Sequence, residues 1–99
     1  MKIKIQTNTL NKFLTIQLSE EKCFVNGQEK IVNCQDFIER LLYIVELWEP
    51  KMINPSIIDG VHYKVSIKED DKIFKFEGKN SFPDNFDKFI NLIKELENC

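Results

Sequence analysis

Four stretches of this chain alternate apolar and polar residues with a period of two. K2-I-K-I-Q6 puts Ile3 and Ile5 on one side, and K12-F-L-T-I-Q-L-S19 does the same with Leu14, Ile16 and Leu18. H62-Y-K-V-S-I-K68 sets Tyr63, Val65 and Ile67 inward, and K72-I-F-K-F-E77 sets Phe74 and Phe76 inward. Successive side chains of an extended strand point to opposite faces, so each stretch reads as a strand buried on one face only. Such strands belong in an antiparallel sheet with one face on a core and the other in water. The chain must therefore supply a single apolar layer to cover one side.

Two helical segments supply it. From Cys34 the apolar positions run 37, 38, 41, 44, 45 and 48, which is helical spacing. Asn33 can cap this helix, and Asp36 suits its positive end. Pro50 stops it, because Glu49 before a proline is pushed out of the helical region. A second helix is expected from about Asp84, with Phe86, Phe89, Ile90, Ile93 and Leu96 as its stripe. C23-F-V25 and K30-I-V32 flank N26-G-Q-E29, and Asn-Gly is a strong hairpin signal because both residues tolerate positive φ. Residues 50–60 hold two of the three prolines and read as irregular. The expected order is β-β-(β-hairpin)-α-β-β-α. The fold class is α+β: an antiparallel sheet of four to five strands with two helices packed on one face. Phe37, Leu41, Val45, Trp48, Phe86, Phe89, Ile90 and Ile93 join the inward strand residues in the expected core.

Ninety-nine residues make a single domain, 1–99. A chain of this size buries roughly 60–70% of its unfolded surface, enough for one core. Charged residues are 30% and mixed in sign, and the net charge is −2. That balance gives no whole-molecule attraction for nucleic acid. Arg40 is the only arginine among fourteen basic residues, which further disfavours base or phosphate recognition by bidentate contacts. Cys23, Cys34 and Cys99 form no C-x-x-C pair, so neither a disulfide framework nor a zinc site is expected, and a reducing compartment follows. There is no apolar leader and no run long enough to span a bilayer, so the expected location is the cytoplasm, without membrane contact.

The stretch E77-G-K-N-S-F-P-D-N-F86 is read as punctuation before the second helix. Gly78 ends a strand, Asn80 or Ser81 caps, Pro83 occupies the first turn, and Asp84 and Asp87 suit the positive helix end. An anion held at this helix N-terminus would be repelled by the same two aspartates.

D59-G-V-H-Y63 followed by a hairpin, and then G78-K-N-S-F-P-D-N-F86 and an amphipathic helix, resembles a recurrent pattern. It occurs in small, mostly uncharacterised bacterial proteins, where it reads G-x-N-x-aromatic-P-x-N-aromatic downstream. Trp48 fits the same pattern, and the resemblance covers about residues 48–93. Tyr63 stands where such proteins often carry Trp, displaced by one position. The resemblance implies a layered strand-and-helix fold and no enzymatic activity. It is also loosely similar to toxin-immunity proteins.

No catalytic constellation can be written. His62, the only histidine, shares a strand face with Lys64, Ser66 and Lys68, and Ser66 lies too far along the strand for a dyad. Asp59 with His62 is the least favoured reading, an enzyme of unknown class. Gly27, Gly60 and Gly78 are too dispersed for a phosphate loop. E69-D-D71 is a short acidic turn without a calcium loop, so no metal and no cofactor are expected.

Two surfaces remain. On a helical wheel Tyr43 and Leu47 fall opposite the core stripe of the first helix, with Glu39 and Glu46 nearby. An aromatic–aliphatic pair among carboxylates resembles a protein-contact patch. The alternative is that the 50–60 loop covers the pair. The second surface is the open sheet face, where Lys4, Lys64, Lys68 and Lys75 point outward beside Lys2 and Phe13. Lysines with an aromatic can track a single strand of nucleic acid or hold a small molecule. They can equally guard a solvated face against aggregation. The first reading of function is therefore a non-enzymatic protein-binding module, an immunity or inhibitor protein that blocks a basic partner such as a toxin. The alternative is a small-molecule or nucleic-acid binder using the sheet face. An open sheet also permits a homodimer.

Overall fold

The computed structural model describes residues 1–53 and 60–99. Its strands are β1 (Lys2–Thr7), β2 (Leu14–Ser19), β3 (Cys23–Val25), β4 (Gln28–Lys30), β5 (Lys51–Ile53), β6 (His62–Glu69) and β7 (Lys72–Lys79). The helices are α1 (Cys34–Val45) and α2 (Phe86–Glu97). The strands form one sheet in the order β4-β3-β2-β1-β6-β7-β5. The α+β class stands, but the sheet is mixed and has seven strands among the described residues.

The difference has two sources. β5 lies inside the stretch read as irregular, and it pairs parallel to β7 through Lys51↔Glu77, Met52↔Gly78 and Ile53↔Lys79. Three residues beside a proline show no periodicity; the neighbouring strand edge recruits them. The hairpin also turns earlier than expected. Asn26 (φ 50) and Gly27 (φ 82) form a two-residue turn that sets Val25 opposite Gln28. Strand β4 is therefore 28–30, not 30–32, and Ile31 is left exposed at the sheet edge.

β1 occupies the middle of the sheet. Ile3 sits between Leu18 and Ile67, and Ile5 between Ile16 and Val65. These rows bury against Phe37, Ile38, Leu41, Ile44 and Val45 of α1 and Phe89, Leu92, Ile93 and Leu96 of α2. A buried aliphatic or aromatic side chain of this kind contributes about 1.5–3 kcal/mol, so this layer is the main source of stability.

The helix boundaries differ from the expected ones. Asn33 caps α1 as expected, its side chain accepting from Asp36 N at 3.1 Å. The helix ends at Val45 rather than Pro50, and Trp48 N bonds to Val45 O at 3.0 Å in the turn that follows. α2 begins at Phe86, so Pro83 precedes it, with its carbonyl accepting from Phe86 N at 3.0 Å. Neither Asn80 nor Ser81 caps it. Asn80 Oδ1 instead accepts from Val61 N at 3.0 Å, tying the end of β7 to the start of β6. The core also differs from the expected one. Phe74 faces the helix side opposite Ile67, but it borders an open groove beside Leu42, Val45 and Glu46 of α1 and is 50% exposed. Phe76, Phe86 and Ile90 are only partly buried, while Leu92, absent from the expected stripe, is buried.

Candidate functional site

The end of α1 is fixed by an interhelical clamp. Trp48 Nε1 donates to Asn85 Oδ1 at 2.7 Å, and Asn85 Nδ2 donates to the Ile44 carbonyl at 2.8 Å. The carboxamide thus satisfies an indole N–H and one of the free carbonyls in the last turn of a helix. The Trp48 ring packs against Tyr63 and Phe89, each at 5.1 Å, and Phe86 at 5.8 Å. Because Trp48 turns inward, the residue before it turns outward. Leu47 is 87% exposed and Tyr43 is 75% exposed; residues 54–59 of the 50–60 stretch lie outside the described residues.

Each of the two borders a groove. Tyr43 lines one of ≈ 470 Å³ between the helices, together with Asp36, Glu39, Ile44, Lys88 and Leu92. Leu47 lines one of ≈ 290 Å³ with Glu49, Met52, Phe82, Pro83 and Asp84. Met52 and Phe82 carry no site signal in the sequence: one belongs to β5, which shows no periodicity, and the other sits in a stretch that reads as helix punctuation. Glu39 and Glu46 are exposed at the same helix face. No basic residue lies in the last turn of α1 to offset Glu46 at its negative end.

The one arginine nearby is already neutralised. Arg40 donates to both oxygens of Glu95 at 3.1 and 2.6 Å, and to Asp36 at 3.4 Å. Its hydrogen bonds hold the Glu95 carboxyl below its ordinary value. Residues 33–50 and 80–99 carry eight carboxylates against Arg40, Lys88 and Lys94, so the helix layer is acidic.

The opposite face of the sheet is basic. Lys4, Lys64, Lys68 and Lys75 are all exposed there. The register sets them in rows: Ser19–Lys2–Lys68–Ile73, Glu29–Phe24–Gln17–Lys4–Ser66–Lys75, and Thr15–Gln6–Lys64–Glu77. Lys2 stands directly opposite Lys68, an arrangement that is locally unfavourable. Aromatic rings share this face. Phe24 lies on this face, and Phe13 meets His62 with ring centroids 6.1 Å apart.

His62 is thus a partner for Phe13, and its backbone N–H is bonded to Asn8 Oδ1 at 2.8 Å. Asp59 lies outside the described residues. Cys23 and Cys34 are buried and Cys99 is exposed. Burial, followed by the neighbouring Cys34, pushes the Cys23 thiol up to about 12. Among the described residues no three His, Cys, Asp or Glu side chains are grouped to hold a metal, and no helix is long and apolar enough to cross a membrane. The chain matches no protein-family model, no curated protein and no solved structure.

Proposed function

We propose that this protein is a protein-binding module that captures a basic partner with the outward face of α1. The observation that carries the reading is the exposure of Tyr43 and Leu47, four residues apart, at 75% and 87%. Large apolar side chains left in water beside grooves, ringed by Glu39, Glu46 and Glu49, have the make-up of a contact centre with a charged rim. The aromatic anchor would supply affinity, and the carboxylates would steer a cationic partner and exclude acidic ones. An immunity or inhibitor role is the sharpest form of this reading, since blocking a toxin needs only shape and charge complementarity. A stable contact of this kind covers about 800 Å² per partner, so Met52 and Phe82 in the adjoining groove belong inside it.

The test is capture with purified protein as bait. A Tyr43→Ala/Leu47→Ala double variant should lose the partner, and Glu39→Lys/Glu46→Lys should slow association and flatten its salt dependence. A partner retained by both variants would sink the reading.

A further inference from the structure

We propose that the open face of the sheet is a second, independent binding site, and that it takes single-stranded nucleic acid. Composition alone disfavours this, because the net charge is −2 and arginine is scarce. The strand register changes the argument, because it concentrates the cations where composition averages them away.

A groove of ≈ 340 Å³ opens on that face, and Lys2, Lys4, Lys22 and Lys68 line it with Phe24. Its remaining polar lining is Gln17, Ser19 and Ser66, with no carboxylate. A second groove of ≈ 290 Å³ adjoins it, sharing Lys4 and Ser66 and adding Lys64 and Lys75. The one carboxylate in the second groove, Glu77, is paired with Lys51 at 3.5 Å. None of Lys2, Lys4, Lys64, Lys68 or Lys75 forms a salt bridge with a carboxylate of the described residues.

Together the grooves run across β3, β2, β1, β6 and β7. Adjacent strands are about 4.8 Å apart, so the track is roughly 19 Å long. A track of that length suits a polymer of charges better than one phosphate group. Phe24 at one end provides a flat apolar surface beside the cations, and the Phe13–His62 pair lies on the same face, outside the two grooves. A positively charged track with aromatic platforms is the recognition mode for unpaired bases, and lysine suffices because the backbone is read as charge rather than by bidentate geometry. The Lys2–Lys68 juxtaposition, costly in the free protein, becomes favourable once a phosphate lies between the two.

The experiment is fluorescence anisotropy with a labelled oligo(dT) of about 15 nucleotides at 50 and 200 mM salt. With about four phosphates neutralised, affinity should fall roughly 50-fold between the two salt concentrations. Lys4→Ala/Lys68→Ala should weaken binding and reduce the salt slope by about 1.4. Phe24→Leu should cost at least about five-fold through lost stacking, and a blunt duplex should bind more weakly than the single strand. Tyr43→Ala/Leu47→Ala should change nothing, because that pair lies on the other side of the molecule. No saturable binding at 50 mM salt would overturn the proposal. So would polyglutamate competing as well as oligo(dT), or a Phe24→Leu variant binding as tightly as wild type, since either would describe a face that selects charge alone.

Discussion

Gly78 is the position where a single added methyl group should be felt most. It lies in β7 directly opposite Tyr63, and the Tyr63 ring crosses the space a side chain would fill. A Cβ built at Gly78 would sit 2.5 Å from Tyr63 Cζ and 2.7 Å from Oη. Carbon atoms pack at about 3.5–4.0 Å, so the ring would have to move by about 1 Å. It has nowhere to go: Tyr63 is fully buried, with Trp48 at 5.1 Å, Phe86 at 5.0 Å and Phe82 at 6.0 Å. Overpacking of this kind costs about 1–3 kcal/mol. For a domain of this size Gly78→Ala should therefore lower Tm by on the order of ten degrees. Trp48, the only tryptophan, touches the displaced ring, so its fluorescence during urea unfolding is the natural readout. The decisive comparison is a double-mutant cycle. Tyr63→Leu removes the ring and opens room, and in that background Gly78→Ala should cost less than about 0.5 kcal/mol. If Gly78→Ala costs as much without the ring as with it, the steric reasoning is wrong.

Other consequences can be checked by the same assay. Asn85→Ala should destabilise by about 2–3 kcal/mol, because it strands the Trp48 indole N–H and the Ile44 carbonyl together. Tyr63→Phe should cost nothing or stabilise by up to about 1 kcal/mol, since the Tyr63 hydroxyl is buried without a hydrogen-bond partner among the described residues. Cys23 yields a pH prediction. Its thiol is raised from 9.0 to about 12 in the folded protein, so unfolded chains release this proton first as pH rises. Its contribution to stability is complete below pH 9 and is lost from about pH 9 towards 12, at up to about 1.4 kcal/mol per pH unit. Cys23→Ala should flatten the slope of urea midpoint against pH between 8 and 10, whereas an unchanged slope would assign it to other groups.

The alternating strands and helical stripes were legible because period-two and period-3.6 patterns follow from burial of one face. Ile3, Ile5, Leu14, Ile16 and Leu18 could be placed inward without coordinates for that reason. What could not be read depends on neighbours distant in sequence. Nothing in K51-M-I53 signals that Glu77–Lys79 will offer it a parallel edge. Phe74 has the right parity, but its exposure depends on how closely α1 packs over that end of the sheet, where the two border an open groove. The punctuation around Phe82 was recognised by residue type but misplaced, because Asn80 and Asn85 spend their side chains on β6 and α1 instead of on the nearest helix end. The outward position of Tyr43 and Leu47 was legible from the helical wheel, and so was the lysine face. The two-dimensional order of that face was not, since the row joining Phe24, Lys4 and Lys75 exists only once four strand pairings are known.

The proposed role of the outward face of α1 is to hold a basic protein. The most direct measurement is affinity capture from lysate of the source organism, run in parallel with wild type and Tyr43→Ala/Leu47→Ala. The account predicts a stoichiometric basic protein retained by wild type, eluted by rising salt and absent from the variant. An identical set of retained proteins on both baits would contradict it.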